Sequence, residues 1–298
     1  MKKTILWILA IIITLGAAYY QRKTGPTNPR DTYLTVNDSL VKVRLVRSLG
    51  LDERPEVRLA ITDTAVKARL FYRRYRTGEE YSSSEFKYKV YPVNSMVMNK
   101  VFGITEEKGF YAAVPQQPPA GKIEYFLELT DSKGTITVLK ETPVVIRFKG
   151  AVPSYILTPH IILMFLAMLL ANVAGLMAFF NLPAFRKYSL WTLITLIAGG
   201  MILGPAVQKF AFGEFWTGVP FGWDLTDNKT LIALLFWILA VVMNKKRNTR
   251  VYTLVAAVVT LIIFSIPHSM FGSELDYSSG EVTQGIILLF LMKIGKKL

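Results

Sequence analysis

Three patterns of hydrophobic and polar residues follow one another along this chain. The first is a single apolar run at residues 4–18, preceded by Met1-Lys-Lys3 and followed by Tyr19-Tyr20-Gln21-Arg-Lys23. A basic start, a short apolar stretch and small residues at Gly16 and Ala18 fit a secretory leader. The same residues fit an uncleaved anchor, because 17 residues from Thr4 to Tyr20 reach the short end of the spanning range and the tyrosine pair suits an interfacial belt. Ala18-Tyr-Tyr is an indifferent cleavage site, so the reading leans to the anchor. Both alternatives deliver residue 24 onward outside the cytoplasm.

From about residue 23 to residue 149 the period becomes two. Val41-Lys-Val-Arg-Leu-Val-Arg47, Val57-Arg-Leu-Ala-Ile61, Val66-Lys-Ala-Arg-Leu-Phe-Tyr72 and Phe86-Lys-Tyr-Lys-Val-Tyr91 alternate apolar with polar or basic residues. This predicts strands with one buried and one wet face. Turn signals separate them at Gly50, Thr77-Gly78, Gly109, Pro118-Pro-Ala-Gly121 and Asp131-Ser-Lys-Gly134. The spacing predicts seven to nine strands and an antiparallel sandwich.

From residue 152 the pattern changes to long apolar runs at 155–180, 190–212, 225–243 and 251–266, each long enough or nearly so to cross a bilayer. A shorter run at 282–294 follows. With Ser278-Ser-Gly-Glu281 as a capping box and Lys293, Lys296 and Lys297 snorkelling behind it, residues 278–298 just suffice to cross.

Within the alternating region, Tyr111-Ala-Ala-Val-Pro115, a Pro/Gly loop, Ile123-Glu-Tyr-Phe-Leu-Glu-Leu129 and Thr130-Asp-Ser-Lys-Gly134 resemble the late strands of bacterial fibronectin III/immunoglobulin-like domains. The resemblance covers residues 32–149. It implies a fold and is nearly silent on function, since such sandwiches host unrelated activities. The fold class expected is therefore α+β and multidomain. An anchor or leader at 1–23 precedes an Ig-like β-sandwich at 24–150, and a polytopic helical domain of four helices plus a short fifth segment fills 151–298.

Charge changes the picture next. The chain carries 35 Lys+Arg against 21 Asp+Glu, a net charge of +14 that ordinarily points to an anionic partner. Its distribution argues otherwise. Outside the sandwich, 11 of 13 basic residues fall in segments expected to be cytoplasmic, around Lys2, Lys3, Arg186, Lys187, Lys245 to Arg250 and the C-terminal lysines. All six acids of the helical part fall on the other side. That is the positive-inside pattern, and it places the chain in the cytoplasmic membrane of a bacterium with the sandwich outside. The sandwich keeps a net +7, much of it on the outward phase of strands at Arg69, Arg73, Lys87 and Lys89. The reading favours a solvated face over one built for anionic lipid or polysaccharide. Phe71, Tyr72, Tyr75, Tyr81, Phe86, Tyr88 and Tyr91 are read as core and cross-strand pairs. No arginine-rich helix or RNA-binding signature accompanies them, so nucleic acid is not an expected partner.

Candidate chemistry is sparse. Zero cysteine excludes disulfides, thiolate metal sites and cysteine nucleophiles. No P-loop, GxSxG, HExxH or dinucleotide fingerprint occurs, and a non-enzymatic role is favoured. Two segments of the helical part, 210–230 and 267–281, are too rich in glycine and aromatics for plain linkers. They are expected to fold as a lid over the helix ends, with Trp216, Trp223 and Phe271 inward. Glu214, Asp224, Asp227, Lys229, Glu274 and Asp276 are its candidate binding residues, with Asp227 expected to cap the helix after the loop. His160 and His268 fall on the same side, and imidazole there suits a divalent metal or a haem. No local ligand spacing supports either group, so a cofactor stays open. Within the helices, Ala167, Ala171 and Gly175, then Gly200 and Gly204, form small-x-x-x-small series, and Asn172 is an amide able to bridge helices. Neither buried ionisable pairs nor broken helices mark a transport path. The sequence thus predicts binding or assembly at the outer membrane face, with membrane lipid and other membrane or exported proteins as partners. A redox or metal protein using His160 and His268 is the alternative.

Overall fold

The computed structural model describes residues 2–61, 63–93, 96–246, 249–268, 270 and 272–283. Most of the last apolar run, and Phe271, lie outside the described residues. The chain has mixed α and β content, with antiparallel sheets and four helices long and apolar enough to cross a membrane. It forms two compact units. One contains the chain up to Pro26, Ala151–Glu274 and Val282–Thr283, and the other contains Thr27–Gly150 together with Leu275–Glu281.

Helix α1 (Lys2–Thr24) belongs to the helical unit. The β unit begins with the hairpin β1 (Arg30–Val36) and β2 (Ser39–Leu45), and continues through β3 (Ser48–Gly50), β4 (Glu56–Leu59), β5 (Lys67–Arg74), β6 (Ser82–Glu85) and β7 (Lys87–Pro92). A short helix α2 (Met96–Phe102) leads to β8 (Glu106–Ala113), β9 (Lys122–Asp131), β10 (Gly134–Val138) and β11 (Val144–Lys149). One sheet runs β3-β11-β9-β5-β6 with β10 also on β9, and a second runs β4-β8-β7. All pairings are antiparallel except β3 with β11.

The two-residue period explains the core. Leu34 and Val36 of β1, Val43 and Leu45 of β2, Val57 and Leu59 of β4, Leu70 of β5, Ile123, Tyr125, Leu127 and Leu129 of β9, and Ile146 and Phe148 of β11 form one buried cluster. Each fully buried aliphatic side chain contributes about 1.5–3 kcal/mol. Tyr125 is satisfied there by donating to the Val46 carbonyl at 3.0 Å. The aromatics pair across strands: Phe71 stacks on Phe126 with ring centroids 4.9 Å apart, and Tyr88 meets Phe110 edge-on at 5.5 Å. Much of the basic charge pairs in the same way, in Arg73 with Glu124, Lys89 with Glu56 and Arg58 with Glu107.

The late segment Leu275–Glu281 is a part of the β unit that its sequence does not announce. Leu275 donates its amide to the Ala120 carbonyl at 3.1 Å. The Tyr277 hydroxyl accepts from the Lys122 amide and donates to the Lys122 carbonyl, each at 2.9 Å, while the Arg74 guanidinium lies 5.3 Å from its ring centroid. Asp276 is thereby drawn into this unit, where Ser278 donates to it through hydroxyl and amide and holds its carboxyl below the usual range.

The helical unit continues with α3 (Ser154–Phe179), α4 (Phe185–Leu196), a π-helical stretch at Ile197–Leu203, α5 (Gly204–Phe212), α6 (Leu225–Lys246) and α7 (Arg250–Ser265). Alanines 167 and 171 are buried in α3, and a Cβ on Gly175 would stand 2.6 Å from the Ala257 Cβ of α7. The Asn172 amide donates to Thr14 Oγ1 of α1 at 2.9 Å, and Thr14 donates to its own Ala10 carbonyl. The apolar run expected as one helix at 190–212 carries the wider π turn where Gly199 and Gly200 leave no side chain in the way. A Cβ on Gly200 would lie 2.7 Å from Thr230 Cγ2 of α6, whereas Gly204 has no such close neighbour.

The Tyr277 hydroxyl carries a direct test. Tyr277→Phe should speed hydrogen exchange at the Lys122 amide by about fivefold, equivalent to ~1 kcal/mol for one hydrogen bond. Exchange at the Leu70 and Leu127 amides of the β core should not change.

Candidate functional site at one end of the helical unit

Helix α5 stops at Gly213, whose left-handed φ of 94° ends it while its amide still reaches the Lys209 carbonyl at 2.9 Å. From there to Asp224 the chain is irregular, and side chains of α6 hold it. Asp227 Oδ2 accepts from the Thr217 amide at 2.6 Å and from the Thr217 hydroxyl at 3.1 Å, and Gln208 of α5 donates to that hydroxyl. Asn228 Oδ1 accepts from the Val219 amide at 2.8 Å. The Trp216 indole donates to the Val219 carbonyl at 3.1 Å. Gly218 is needed at the closest approach, since a Cβ there would stand 2.7 Å from the Asp227 Cβ and 2.8 Å from Asn228 Oδ1.

Asp224, rather than Asp227, caps α6. The helix starts at Leu225, so Asp224 Oδ1 accepts from the amides of Thr226 at 2.8 Å and Asp227 at 3.3 Å. The earlier start frees the Asp227 carboxylate to turn back onto the loop. Both carboxylates are buried, and the backbone amides around them offset the desolvation.

One turn further along α6 lies Lys229. Its ammonium donates to the Ile266 carbonyl, just past α7, at 2.8 Å. Gln21 of α1 donates to the Phe264 carbonyl at 2.6 Å, so three helices meet at this point. His160 of α3 is joined through Nδ1 to the Gly199 carbonyl of the π turn at 2.9 Å. His268, two residues beyond Ile266, is exposed. Desolvation first, then the nearby Lys229 and His160, push its pKa below the usual imidazole value.

The structure brings Asp224, Asp227, Lys229, His160 and His268 to one end of the helical unit. It does not gather the rest. Glu214 is exposed, Asp276 is in the β unit, and Glu274 ends the stretch that follows α7. Trp223, expected to pack inward, is instead 60% exposed, and Trp216 is only half-buried. An indole gains by standing at an apolar–polar boundary, so an outward ring is the better placement for a loop at a helix end. Among the described residues no three His, Asp or Glu side chains are arranged to hold a metal ion. Sequence reasoning missed Thr217, Gln208 and Gly199. Gln208 was the visible signal, a polar side chain inside an apolar helical run.

A separate cleft of about 390 Å3 in the β unit is lined by Tyr72, Arg74, Glu79, Gln117 and neighbours. Its two arginines are paired, Arg74 with Glu79 and Arg73 with Glu124.

Comparison of the chain with protein-family models, curated proteins and solved structures gave no match in any of the three.

Asp227 is the keystone of the loop. Asp227→Ala leaves the buried Thr217 amide without an acceptor and should destabilise the protein by about 1–3 kcal/mol. Asp227→Asn keeps an acceptor oxygen and should cost less. Thermal unfolding of the detergent-solubilised protein checks both.

Proposed function

We propose that the chain is an integral protein of a bacterial cytoplasmic membrane that binds a partner at the outer membrane face rather than catalysing a reaction. In this reading α1, α3, the α4–α5 pair and α6 span the bilayer, α7 completes the bundle, and the β unit is an Ig-like sandwich outside the cytoplasm. The positive-inside distribution supports the orientation. The Ig-like assignment draws on two sheets, antiparallel apart from β3 with β11, and a hairpin that share one core, and on the late-strand pattern at 111–134.

The observation that carries the reading is the loop between α5 and α6. Its backbone is locked from beneath by Asp227, Asn228 and Gln208, yet Phe215, Val219, Phe221 and Trp223 are 59%, 42%, 83% and 60% exposed. A rigid loop that presents four large apolar side chains is a pre-organised contact surface, and aromatic anchors of this kind dominate interface energetics. Its occupants, on this reading, are membrane lipid and other membrane or exported proteins.

A photo-reactive benzoylphenylalanine at position 221, activated in native membranes, tests this. A discrete protein adduct is expected, one that is lost in the Asp227→Ala background. Adducts with lipid alone would reassign the rim to bilayer anchoring and overturn the partner.

A second reading, a redox or metal protein using His160 and His268, is favoured by one observation. Because the Gly199 carbonyl can only accept, His160 Nδ1 holds the proton and Nε2 keeps a free lone pair, as in metal-binding histidines. A Soret band, or near-stoichiometric metal lost in the double His→Ala variant, would establish it. Absence of both from protein purified without chelator would dismiss it.

A further inference from the structure

Lys229 is an unusual residue to find at this position. It is 2% exposed, and its ammonium, which has three donors, makes one hydrogen bond among the described residues, to the Ile266 carbonyl at 2.8 Å. Among the described residues, which include all 21 Asp and Glu of the chain, it forms no ion pair with a carboxylate. The two nearest acids are already committed: Asp224 Oδ1 to the amides of α6, and Asp227 Oδ2 to Thr217. Asp224 still attracts Lys229 at longer range, but it does not reach the remaining donors.

The surroundings of those donors are also defined. Ile266 places them at the end of α7, two residues before His268. Gly200 brings the π turn against Thr230, the residue next to Lys229, and Gly199 of the same turn holds His160 through Nδ1. The Nε2 lone pair of His160 can then only accept. His268 lies within electrostatic reach of both Lys229 and His160, and a buried ammonium with donors unused among the described residues, in the neighbourhood of an imidazole acceptor, is complementary to an oxyanion that carries or adjoins a hydroxyl. It is the wrong sign for a metal cation, which the ammonium would repel.

We propose that Lys229, with His160 and His268 beside it, binds an anionic phosphate group at this end of the helices, with a phosphate oxygen on the Lys229 ammonium and a hydroxyl of the ligand on His160 Nε2. The phosphate is carried by a lipid headgroup or is free in solution. The inference rests on the reading of this end of the bundle as a binding face, and it names the chemistry of what is bound. A buried charge is costly to keep, and an ionisable residue within the apolar part of a bundle ordinarily marks a site.

The test uses the full-length protein in nanodiscs. Thermal unfolding is followed in phosphatidylcholine discs with sodium phosphate titrated against sodium chloride at matched ionic strength, and in discs containing phosphatidylglycerol without added phosphate. A rise in midpoint in the first arm identifies a free anion, and a rise in the second identifies a headgroup. Lys229→Met should abolish the rise or weaken the apparent affinity by about tenfold or more. Lys229→Arg should retain part of it, and Lys209→Met, an exposed lysine at the same end, should leave it intact. Should Lys229→Met fail to fold, the titrations on wild type and His268→Ala decide, with a weaker response required of the variant. No rise in either arm, or a rise undiminished in Lys229→Met, overturns the proposal. The partner reading fails separately. A cross-linked protein at position 221 without any phosphate response would sink this inference alone, and a phosphate response without a protein adduct would sink the partner alone.

Discussion

The hydrogen bonds that Asp227 accepts from Thr217 hold the longest irregular stretch between helices of the helical unit, and they show the rule that governs that unit. Where water is scarce, a backbone amide outside a helix must find its acceptor within the protein. Helices solve the problem internally, but the loop from Gly213 to Asp224 does not. Its amides are therefore bought by side chains of α6: Asp224 serves the helix start, Asp227 serves Thr217 and Asn228 serves Val219. The loop's outer surface is then free to be apolar, because its polar groups are already answered from below.

The same rule runs through the helix contacts. Thr14, Ser189, Thr192, Thr195, Thr230, Thr260 and Ser265 each return a hydroxyl hydrogen bond to the carbonyl four residues earlier. Several then take a second bond with a neighbouring helix, as Thr14 does from Asn172, Thr260 from the Trp237 indole and Ser189 with Thr253, which itself accepts from Asn244. Each such bond is modest, about 0.6 kcal/mol on average between membrane helices. Their value lies in fixing register between apolar helices. Lys229 departs from this pattern, since it is buried with donors left over among the described residues.

Much of the fold was legible because its signals are local. A period of two gave the strands, runs of apolar residues gave the helices, and Asn172 stood out as an amide in an apolar helix. The Asp227 role was misread for a simple reason: the helix start lies three residues earlier than composition suggested, which moved the cap to Asp224. Trp223 was expected to pack inward, but burial of an aromatic depends on tertiary surroundings that composition does not encode, and the ring is 60% exposed. The return of Leu275–Glu281 to the β unit left no trace in the sequence. It rests on the Leu275 amide meeting the Ala120 carbonyl and on the Tyr277 hydroxyl meeting the amide and carbonyl of Lys122, pairings across more than 150 positions that no local pattern encodes.

The central claim is a rigid, inwardly satisfied loop at the outer end of a membrane-spanning bundle. Because the chain has no cysteine, single-cysteine labelling with a membrane-impermeant maleimide in intact cells tests both halves of it at once. The account predicts that Phe221→Cys is labelled at once, that Thr217→Cys is labelled only after denaturation, and that Lys187→Cys is labelled only once the membrane is permeabilised. Labelling of Lys187→Cys in intact cells, or of Thr217→Cys as readily as Phe221→Cys, would contradict it.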